Sequence, residues 1–245
     1  MVERSDHRRL ITLFWPSFQV GHVRLDGSAA QHARVRRIER GDPVCLVNGV
    51  GDVAMGSATR LGKNDLTIDV EDIEQRPRPR ALELVVPVAD RDRMLLAAEK
   101  AVELQVTAWR PAYFTRSRSV SPRGEGEKFQ EKVRARMQSA LEQSDGAWLP
   151  TMLSEDELAA VLAGVDAHER VLLDASGEAL PAARWASVEA LAVGPEGGLE
   201  EDEIAGAREQ GWRVATLGAS TLRFETAIIA GAAVIRAAQL QSRSV

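Results

Sequence analysis

The chain has 245 residues, a formal net charge of −5 and a single cysteine, Cys45. This length allows one large domain or two unequal domains with a buried core, and we expect two. One cysteine excludes an internal disulfide, and the lack of paired Cys/His spacings disfavours a structural zinc site. We therefore expect a cytoplasmic protein with no metal and no membrane partner.

The charge is distributed unevenly along the chain. Residues 1–80 hold 13 Lys/Arg against 11 Asp/Glu and residues 81–150 hold 11 against 10, whereas residues 151–245 hold 7 against 15. Basic side chains cluster at 34–40, with four Arg, and at 110–136, with eight Lys/Arg against three Glu. Either cluster alone is typical of an ordinary solvated face. Together, on an acidic protein, they are candidate phosphate-contact surfaces.

Residues 44–70 alternate short β-type runs with turn signals. Asn48-Gly49 between two apolar runs is a strong hairpin cue, and the segment 62–65 (GKND) marks a second turn. The pattern predicts a small all-β unit.

The segment that follows, 74–83, reads EQRPRPRALE. Its two prolines disfavour helix and interrupt strand pairing, and the arginines beside them keep it solvated. We place a domain boundary in this segment and predict domains over 1–75 and 76–245.

From residue 82 onward, apolar strand candidates alternate with amphipathic helices, which predicts an α/β fold with a mostly parallel sheet. The strand candidates are LELVVPV, AWRPAYF, VLLD (171–174), LAVG and RVATLG (213–218). The predicted helices lie near 91–106 and 125–144, from a capping box at Ser154-Glu155-Asp156-Glu157 through Leu162, and from about 200 to 210 with Gly211 as its stop.

The last predicted helix, 225–240, is apolar nearly all round, since after Glu225 it carries only one charge, Arg236. Such a helix is usually buried on most sides, inside its own domain or against a second subunit. We expect a homodimer formed through the C-terminal half of the chain.

Two glycine-containing loops follow strand candidates, at 193–198 (VGPEGG) and 217–227 (LGASTLRFETA). Loops at the carboxyl ends of neighbouring strands form the ligand crevice of an open α/β sheet, so the two loops are expected to share one ligand. Glu196 and the acids at 200–203 disfavour a phosphate there, and a neutral or cationic ligand fits better. The acids at 200–203 are also explained by the dipole of the helix that they begin. No nucleophile elbow, phosphate-loop lysine or dinucleotide fingerprint occurs.

The sequence G-P-E-G-G, followed about twenty residues later by L-G-x-x-x-L-R-x-E-T-A, closely resembles the two signature loops of the RsmE family. Members of this SPOUT-superfamily group methylate N3 of a uridine in 16S ribosomal RNA with S-adenosylmethionine. Further segments also resemble the family: QHARVRRIERGDPVCLVNGVG (31–51), EKAVELQV (99–106) and ALEQS (140–144). The resemblance implies an N-terminal PUA-like β-barrel and a C-terminal trefoil-knotted domain with a parallel sheet, which forms a homodimer.

The same resemblance places S-adenosylmethionine in the knot, with its adenine and ribose against the backbone of both loops. Its sulfonium is a cation, so nearby carboxylates are tolerable where they would repel a nucleotide. The cofactor-binding residues that the resemblance implies are Gly194, Pro195, Glu196, Gly197, Gly198, Leu217, Gly218, Leu222, Arg223, Thr226 and Ala227.

Catalysis on uracil needs help with one proton, because N3 is a poor nucleophile until its proton leaves. A cation near O2 or O4 would stabilise the resulting anion, and a carboxylate would accept the proton. We assign the cation to Arg223 and the role of base or organiser to Glu225. Alternatively, Arg223 pairs with Glu225 or Glu196, and Glu225 caps the last helix. The predicted RNA-binding residues are Arg34, Arg36 and Arg37.

The chain departs from the family pattern at four places. The family usually has Arg at Ser220, Gly at Gln105, a lysine near Asp90, and EQSGR where this chain has Asp145-Gly146 in EQSDG. Three of these changes remove a positive charge. Two alternative functions stay open: a SPOUT enzyme acting on another RNA, and a non-catalytic RNA-binding ribosome assembly factor.

Overall fold

The computed structural model describes residues 10–119 and 121–242, with side chains given for all of these except residues 118 and 119. The described residues form two compact units. The first contains the chain up to Arg78 together with Gln138–Trp148, and the second contains Pro79–Met137 and the chain from Leu149 onward.

The first unit is built on a five-stranded sheet with one helix. Its strands lie in the order β1-β3-β4-β5-β2, with β1 parallel to β3 and every other pair antiparallel. A core of aliphatic side chains, including Leu13, Leu25, Leu46 and Ile68, covers one face of the sheet. The elements are β1 (Ile11–Phe14), β2 (Gly21–Leu25), α1 (Gly27–Val35), β3 (Pro43–Val47), β4 (Asp52–Leu61) and β5 (Leu66–Gln75).

The two predicted hairpins of this unit are confirmed. Asn48 closes the loop between β3 and β4, where its side-chain oxygen accepts the N–H groups of Val50 (3.0 Å) and Asp52 (3.1 Å). The helix α1 was not predicted. It is short and weakly amphipathic, and its buried face consists of three alanines, Ala29, Ala30 and Ala33.

The segment Gln138–Trp148 is fixed to the first unit through Glu142. The Glu142 carboxylate accepts the N–H of Phe14 (2.7 Å) and contacts Nδ1 of His32 at 2.7 Å. His32 and Glu142 belong to two of the segments that resemble the RsmE family, and the fold brings these two segments together.

The second unit is an α/β layer structure with a seven-stranded sheet. Its main path runs β12-β10-β11-β6-β7-β8, with β9 also pairing with β7, and every pair is parallel. The strands are β6 (Glu83–Pro87), β7 (Ala108–Tyr113), β8 (Thr151–Met152), β9 (Asp156–Glu157), β10 (Arg170–Ala179), β11 (Ala190–Val193) and β12 (Arg213–Thr216). The helices are α2 (Arg91–Glu103), α3 (Glu127–Leu141), α4 (Leu158–Ala163), α5 (Ala182–Ser187), α6 (Glu201–Glu209) and α7 (Phe224–Gln241), with a 3-10 helix at Thr115–Ser119.

The predicted alternation of strands and helices is confirmed, but the predicted capping box is wrong. Asp156 and Glu157 form β9, in register with Ala112 and Tyr113 of β7, and α4 begins only at Leu158. The Glu155 carboxylate accepts the N–H of Gly126 at 3.0 Å instead of capping a helix. Pairing with a strand distant in sequence therefore outweighs the local helix signal.

Gly211 ends α6 as predicted, with a φ of +81°. The last helix, α7, buries one face in its own unit through residues such as Phe224, Ile228, Ala232 and Ile235. Its opposite face carries exposed apolar side chains, among them Leu240, which is 66% exposed.

Candidate functional site

The two glycine loops meet at one cavity of about 320 Å³ at the carboxyl edge of the parallel sheet. Strand β10 lies between β11 and β12, and its residues 173–175 line the cavity together with the loops that follow those two strands. Both glycine loops therefore line one cavity, and that they share one ligand there stays a prediction. The cavity is lined by Arg116, Leu173, Asp174, Ala175, Val193, Gly194, Pro195, Glu196, Gly198, Leu199, Ala215, Thr216, Leu217, Gly218, Ser220, Thr221, Leu222, Phe224 and Ala227.

The first loop, Gly194–Gly198, is a tight turn. The N–H of Gly198 donates to the carbonyl of Pro195 at 2.9 Å, and Gly198 has a φ of +77°, a conformation that favours glycine. A Cβ on Gly197 would lie 3.0 Å from Cβ of Arg116. Gly197 therefore faces the Arg116 side chain, and it is not among the residues that line the cavity.

Three carboxylates of this region, those of Glu196, Glu200 and Glu203, have partners. Glu196 forms an ion pair with Arg93 of α2. Glu200 pairs with Nε of Arg116 at 2.8 Å, and this contact raises the pKa of Arg116. The Glu203 carboxylate accepts the N–H groups of Glu200 and Thr115, both at 2.8 Å. The acids therefore cap α6 and attach the loop to neighbouring segments, as the helix-dipole explanation requires.

Arg116 is the side chain that fixes the first loop from the 3-10 helix. Besides Glu200, its guanidinium contacts the carbonyl of Gly197. The aliphatic stem of Arg116 covers Gly197, and the residue also lines the cavity.

The second loop, residues 217–223, is more open. The Thr216 hydroxyl donates to the carbonyl of Gly218 (2.8 Å) and accepts its N–H (3.3 Å). Apart from the two chain neighbours of Gly218, no atom of the described residues lies within 4 Å of a Cβ built on this glycine. The side chains of residues 219–223 are exposed, and the chain becomes buried again at Phe224.

Eight of the eleven predicted cofactor-binding residues line the cavity, and Gly197, Arg223 and Thr226 do not. Arg223 is exposed at the start of α7 between two residues that do line it, Leu222 and Phe224. Thr226 is exposed on the first turn of the same helix.

The two predicted catalytic residues lie on either side of Phe224. Within the described part of the chain, Arg223 forms no ion pair, so the alternative in which it pairs with Glu225 or Glu196 is not observed. Glu225 is only 8% exposed, and its Oε2 has no hydrogen-bond partner among the described residues. Glu225 lies in the first turn of α7, where its charge complements the helix dipole, so the alternative in which it caps this helix stays open.

The sequence reasoning missed Arg116 and the part that β10 itself plays through Asp174 and Ala175, which also line the cavity. The strand VLLD was recognised, and the rule that sites form at the carboxyl ends of parallel strands applies equally to its end. Arg116 offered no comparable signal, because it was one of eight basic residues in 110–136.

The predicted RNA-binding residues lie at the end of α1 and in the turn after it. Arg34 and Arg37 are exposed, and Arg34 also donates to the carbonyl of Lys63. Three arginines of the second basic cluster form ion pairs: Arg110 with Glu83, Arg123 with Glu125 and Arg136 with Glu99. Fewer cations are therefore available for phosphate contacts than the sequence suggests. The side chain of residue 118 and all of residue 120 lie outside the described part.

The departures from the family pattern have distinct structural roles. Asp90 caps α2 by accepting the N–H groups of Asp92 and Arg93, both at 3.1 Å. Gln105 and Asp145 have φ values of +55° and +51°, and Gln105 is the position at which the family usually has glycine. Ser220 lines the cavity.

Residues 76–236 match the RNA methyltransferase domain family. A ribosomal RNA small subunit methyltransferase E from Mycobacterium bovis is 31% identical over 219 residues, which cover 83% of this chain and 81% of that protein. The chain belongs to the ribosomal RNA small subunit methyltransferase E family. A member from Synechocystis is 27% identical over 204 residues, which cover 79% of this chain and 65% of that protein.

A crystal structure of a ribosomal RNA small subunit methyltransferase E from Neisseria gonorrhoeae, bound to S-adenosylmethionine, has the same fold. Its TM-score is 0.83 at 26% identity, and the match covers 94% of this chain and 98% of that chain. The likeness confirms the predicted fold class, a SPOUT-type trefoil-knotted domain with a parallel sheet and an N-terminal PUA-like β-barrel. The predicted enzyme class, an RNA methyltransferase, and the predicted cofactor are confirmed as well.

In the part of the chain that the structure describes, no helix combines the length and hydrophobicity needed to cross a bilayer.

Proposed function

We propose that this protein transfers the methyl group of S-adenosylmethionine to N3 of a uridine in 16S ribosomal RNA of the small ribosomal subunit. The observation that supports this most directly is the cavity in which both signature loops of the ribosomal RNA small subunit methyltransferase E family meet. The relatives from Mycobacterium bovis and Synechocystis are named for action on small-subunit ribosomal RNA. We place the protein in the cytoplasm, where that substrate is found.

The residues of the cavity fit S-adenosylmethionine. The cavity volume of about 320 Å³ lies in the range of small-molecule sites. Among the described lining residues the one cation is Arg116, which is already paired with Glu200, so a phosphate group would find no unpaired positive charge among them. The open space beside Gly218 lets a flat ring lie directly on the backbone. Residues of both loops, from Gly194 to Gly198 and from Leu217 to Ala227, would hold the cofactor, with Gly197, Arg223 and Thr226 acting from outside the cavity wall.

When bound, the cofactor supplies an electrophilic methyl group on a sulfonium. The chain must orient uracil, accept the N3 proton and stabilise the negative charge that remains on O2 and O4. Arg223 is suited to stabilise that charge, because it is exposed, lacks an ion pair among the described residues and lies between two residues of the cavity wall. Glu225 is suited to act as base or organiser, since its buried Oε2 has no donor within the described chain.

We assign RNA binding to the N-terminal domain, residues 1–75, and methyl transfer to residues 76–245. The exposed arginines after α1 support this division, because phosphate contacts need accessible cations. Replacing Arg34, Arg36 and Arg37 with Ala should weaken RNA binding and flatten its salt dependence, with S-adenosylmethionine affinity unchanged. An unaltered salt slope would place the RNA surface elsewhere.

We also propose a homodimer formed through α7. Leu240 and Val234 of this helix and Leu96 of α2, which packs against it, are exposed apolar side chains that a second copy would cover. Light scattering tests this assembly, and a monomer at micromolar concentration would contradict it.

The deciding experiment has two parts. Calorimetric titration with S-adenosylmethionine tests the cofactor site, and absence of binding would favour the non-catalytic assembly factor. Mapping methylated nucleosides in ribosomal RNA from a strain that lacks this protein then tests the substrate. Loss of one N3-methyluridine in 16S RNA is the expected result, whereas an unchanged 16S RNA with a methyl group missing from another RNA would support the alternative substrate.

A further inference from the structure

Three charged residues line the cavity: Arg116, Asp174 and Glu196. Two of them have oppositely charged partners, since Arg116 pairs with Glu200 and Glu196 pairs with Arg93. Asp174 differs, because it forms no ion pair within the described part of the chain. Among the described residues, its carboxylate is therefore the charge of the cavity that has no oppositely charged partner.

The position of Asp174 is central. It follows the buried residues 171–173 of β10, the strand that lies between β11 and β12. The loops after those two strands carry the two glycine signatures, so Asp174 lies between them at the edge of the sheet. A group at this place is near any ligand that contacts both loops.

Asp174 is also held in one orientation. Its Oδ1 accepts the backbone N–H of Ser176 at 2.8 Å and the hydroxyl of Ser176 at 2.6 Å. No donor from the described chain contacts Oδ2. One oxygen thus fixes the side chain, and the other is available to a ligand without the loss of an existing bond.

We infer that Asp174 recognises the sulfonium of S-adenosylmethionine, which makes this site prefer the charged substrate to the neutral product S-adenosylhomocysteine. The inference rests on the proposed function. Its physical basis is that an uncompensated carboxylate attracts a cation far more strongly than one that already pairs with a guanidinium. Glu196, which the sequence placed beside the cofactor, is compensated by Arg93 and is not assigned this role.

The test is to measure the affinities of S-adenosylmethionine and S-adenosylhomocysteine for Asp174→Asn by calorimetry. Asn keeps an oxygen that can accept both bonds from Ser176, so the loop should stay folded. We expect the affinity for S-adenosylmethionine to fall about tenfold and that for S-adenosylhomocysteine to change less than about twofold. The ratio of the two affinities isolates the sulfonium, because both ligands carry the same adenosine, ammonium and carboxylate.

The matched control is Asp166→Asn, which removes an exposed carboxylate from the same unit outside the cavity. Its affinity ratio should equal that of the wild type. Equal weakening of both ligands by Asp174→Asn would overturn the inference, because it would assign Asp174 to the ribose or the ammonium. The inference would also be overturned if Asp166→Asn changed the ratio of the two affinities as much as Asp174→Asn does. A larger change of this ratio in Glu196→Gln than in Asp174→Asn would overturn it as well.

The two proposals fail differently. A wild-type protein that binds neither ligand overturns the proposed function and this inference together. A wild-type protein that binds S-adenosylmethionine, with an unchanged affinity ratio in Asp174→Asn, overturns the inference alone.

Discussion

The two loops that form the cavity differ in how they are held. The loop Gly194–Gly198 is fixed by side chains from other segments: Arg93 of α2 holds Glu196, and Arg116 of the 3-10 helix holds the carbonyl of Gly197. In the loop 217–223, by contrast, the hydrogen bonds found within the described chain join Thr216 to Gly218 and, where α7 begins, the N–H of Ala227 to the carbonyl of Arg223. The first loop is thus held by Arg93 and Arg116, whose contacts with Glu196, Gly197 and Glu200 we call the brace. The second loop is exposed to solvent.

This difference suggests a division of work between the loops. A braced backbone presents fixed hydrogen-bonding groups, which is what binding a constant ligand such as a cofactor requires. Exposed side chains with few internal contacts are free to engage a large and variable partner such as RNA. On this interpretation, changes in the first loop should affect cofactor affinity, and changes to the exposed side chains 219–223 of the second loop should affect turnover.

The largest effect is expected for Arg223→Ala. If Arg223 stabilises the developing charge on uracil, the methylation rate should fall by roughly two orders of magnitude or more. The affinity for S-adenosylmethionine should stay within a few fold of the wild type, as measured by calorimetry beside single-turnover kinetics. Arg208→Ala, which removes an exposed arginine from α6, is the control and should retain both properties. Joint loss of binding and activity in Arg223→Ala would instead assign Arg223 to building the pocket.

A smaller effect, on cofactor affinity and not on the methylation rate, is expected for Arg116→Ala. This change removes the brace on Gly197 and Glu200, but both partners are partly exposed, so each contact is worth little by itself. We expect the affinity for S-adenosylmethionine to fall about five- to tenfold, with the rate at saturating cofactor nearly unchanged. Arg116→Lys should recover part of the affinity, because it keeps the charge but not the planar fork. An affinity equal to that of Arg208→Ala would remove the distinction between the loops.

The sequence predicted most of this site because its signals are local. Hydrophobic patterning predicted the strands β10, β11 and β12. The rule that ligands bind at the carboxyl ends of parallel strands then predicted that the glycine loops after β11 and β12 are neighbours. The ion pairs that hold the first loop could not be predicted in this way. Arg93 and Glu196 are 103 residues apart, and Arg116 and Glu200 are 84 apart, so no spacing in the sequence connects them.

The errors have the same origin. The capping box at 154–157 has the local pattern of a helix start, yet pairing with β7 converts Asp156 and Glu157 into strand. The helix α1 was missed because its buried face is made only of alanine and its period is weak. Long-range contacts decided both outcomes, and a single sequence does not reveal them.

A pair of glycine substitutions tests the two loops on equal terms. At Gly218 an added methyl group meets no atom of the described residues other than its chain neighbours, so Gly218→Ala should keep the wild-type melting temperature and lower S-adenosylmethionine affinity a few fold by occupying the site. At Gly197 the methyl group would lie 3.0 Å from Cβ of Arg116, so Gly197→Ala should lower both the melting temperature and the affinity. Thermal unfolding beside calorimetry separates the two. The reverse pattern of melting temperatures would mean that the second loop, not the first, is the braced one.

The smallest effect concerns pH and the strand that leads into the brace. Tyr113 ends β7 just before Thr115 and Arg116, and burial, followed by the nearby carboxylate of Glu155, raises the pKa of Tyr113 to about 12. In the unfolded chain the same phenol titrates near 10. Between these values the folded state keeps a proton that the unfolded state has lost, so the contribution of Tyr113 to stability is complete below pH 10 and falls as the pH rises toward 12.

Tyr113→Phe removes this titration and should therefore unfold with a shallower loss of stability between pH 10 and 11.5 than the wild type, as measured by urea denaturation at each pH. Cys45, whose pKa is raised by burial, contributes a slope of the same sign, but it is present in both proteins and cancels in the comparison. Because the described contacts of Arg93 and Arg116 with the first loop do not include the Tyr113 hydroxyl, S-adenosylmethionine affinity should not follow the titration of Tyr113 while the protein stays folded. Parallel slopes for the two proteins would show that Tyr113 titrates alike in the folded and unfolded states, and an affinity that falls with the phenol proton would show that the brace depends on it.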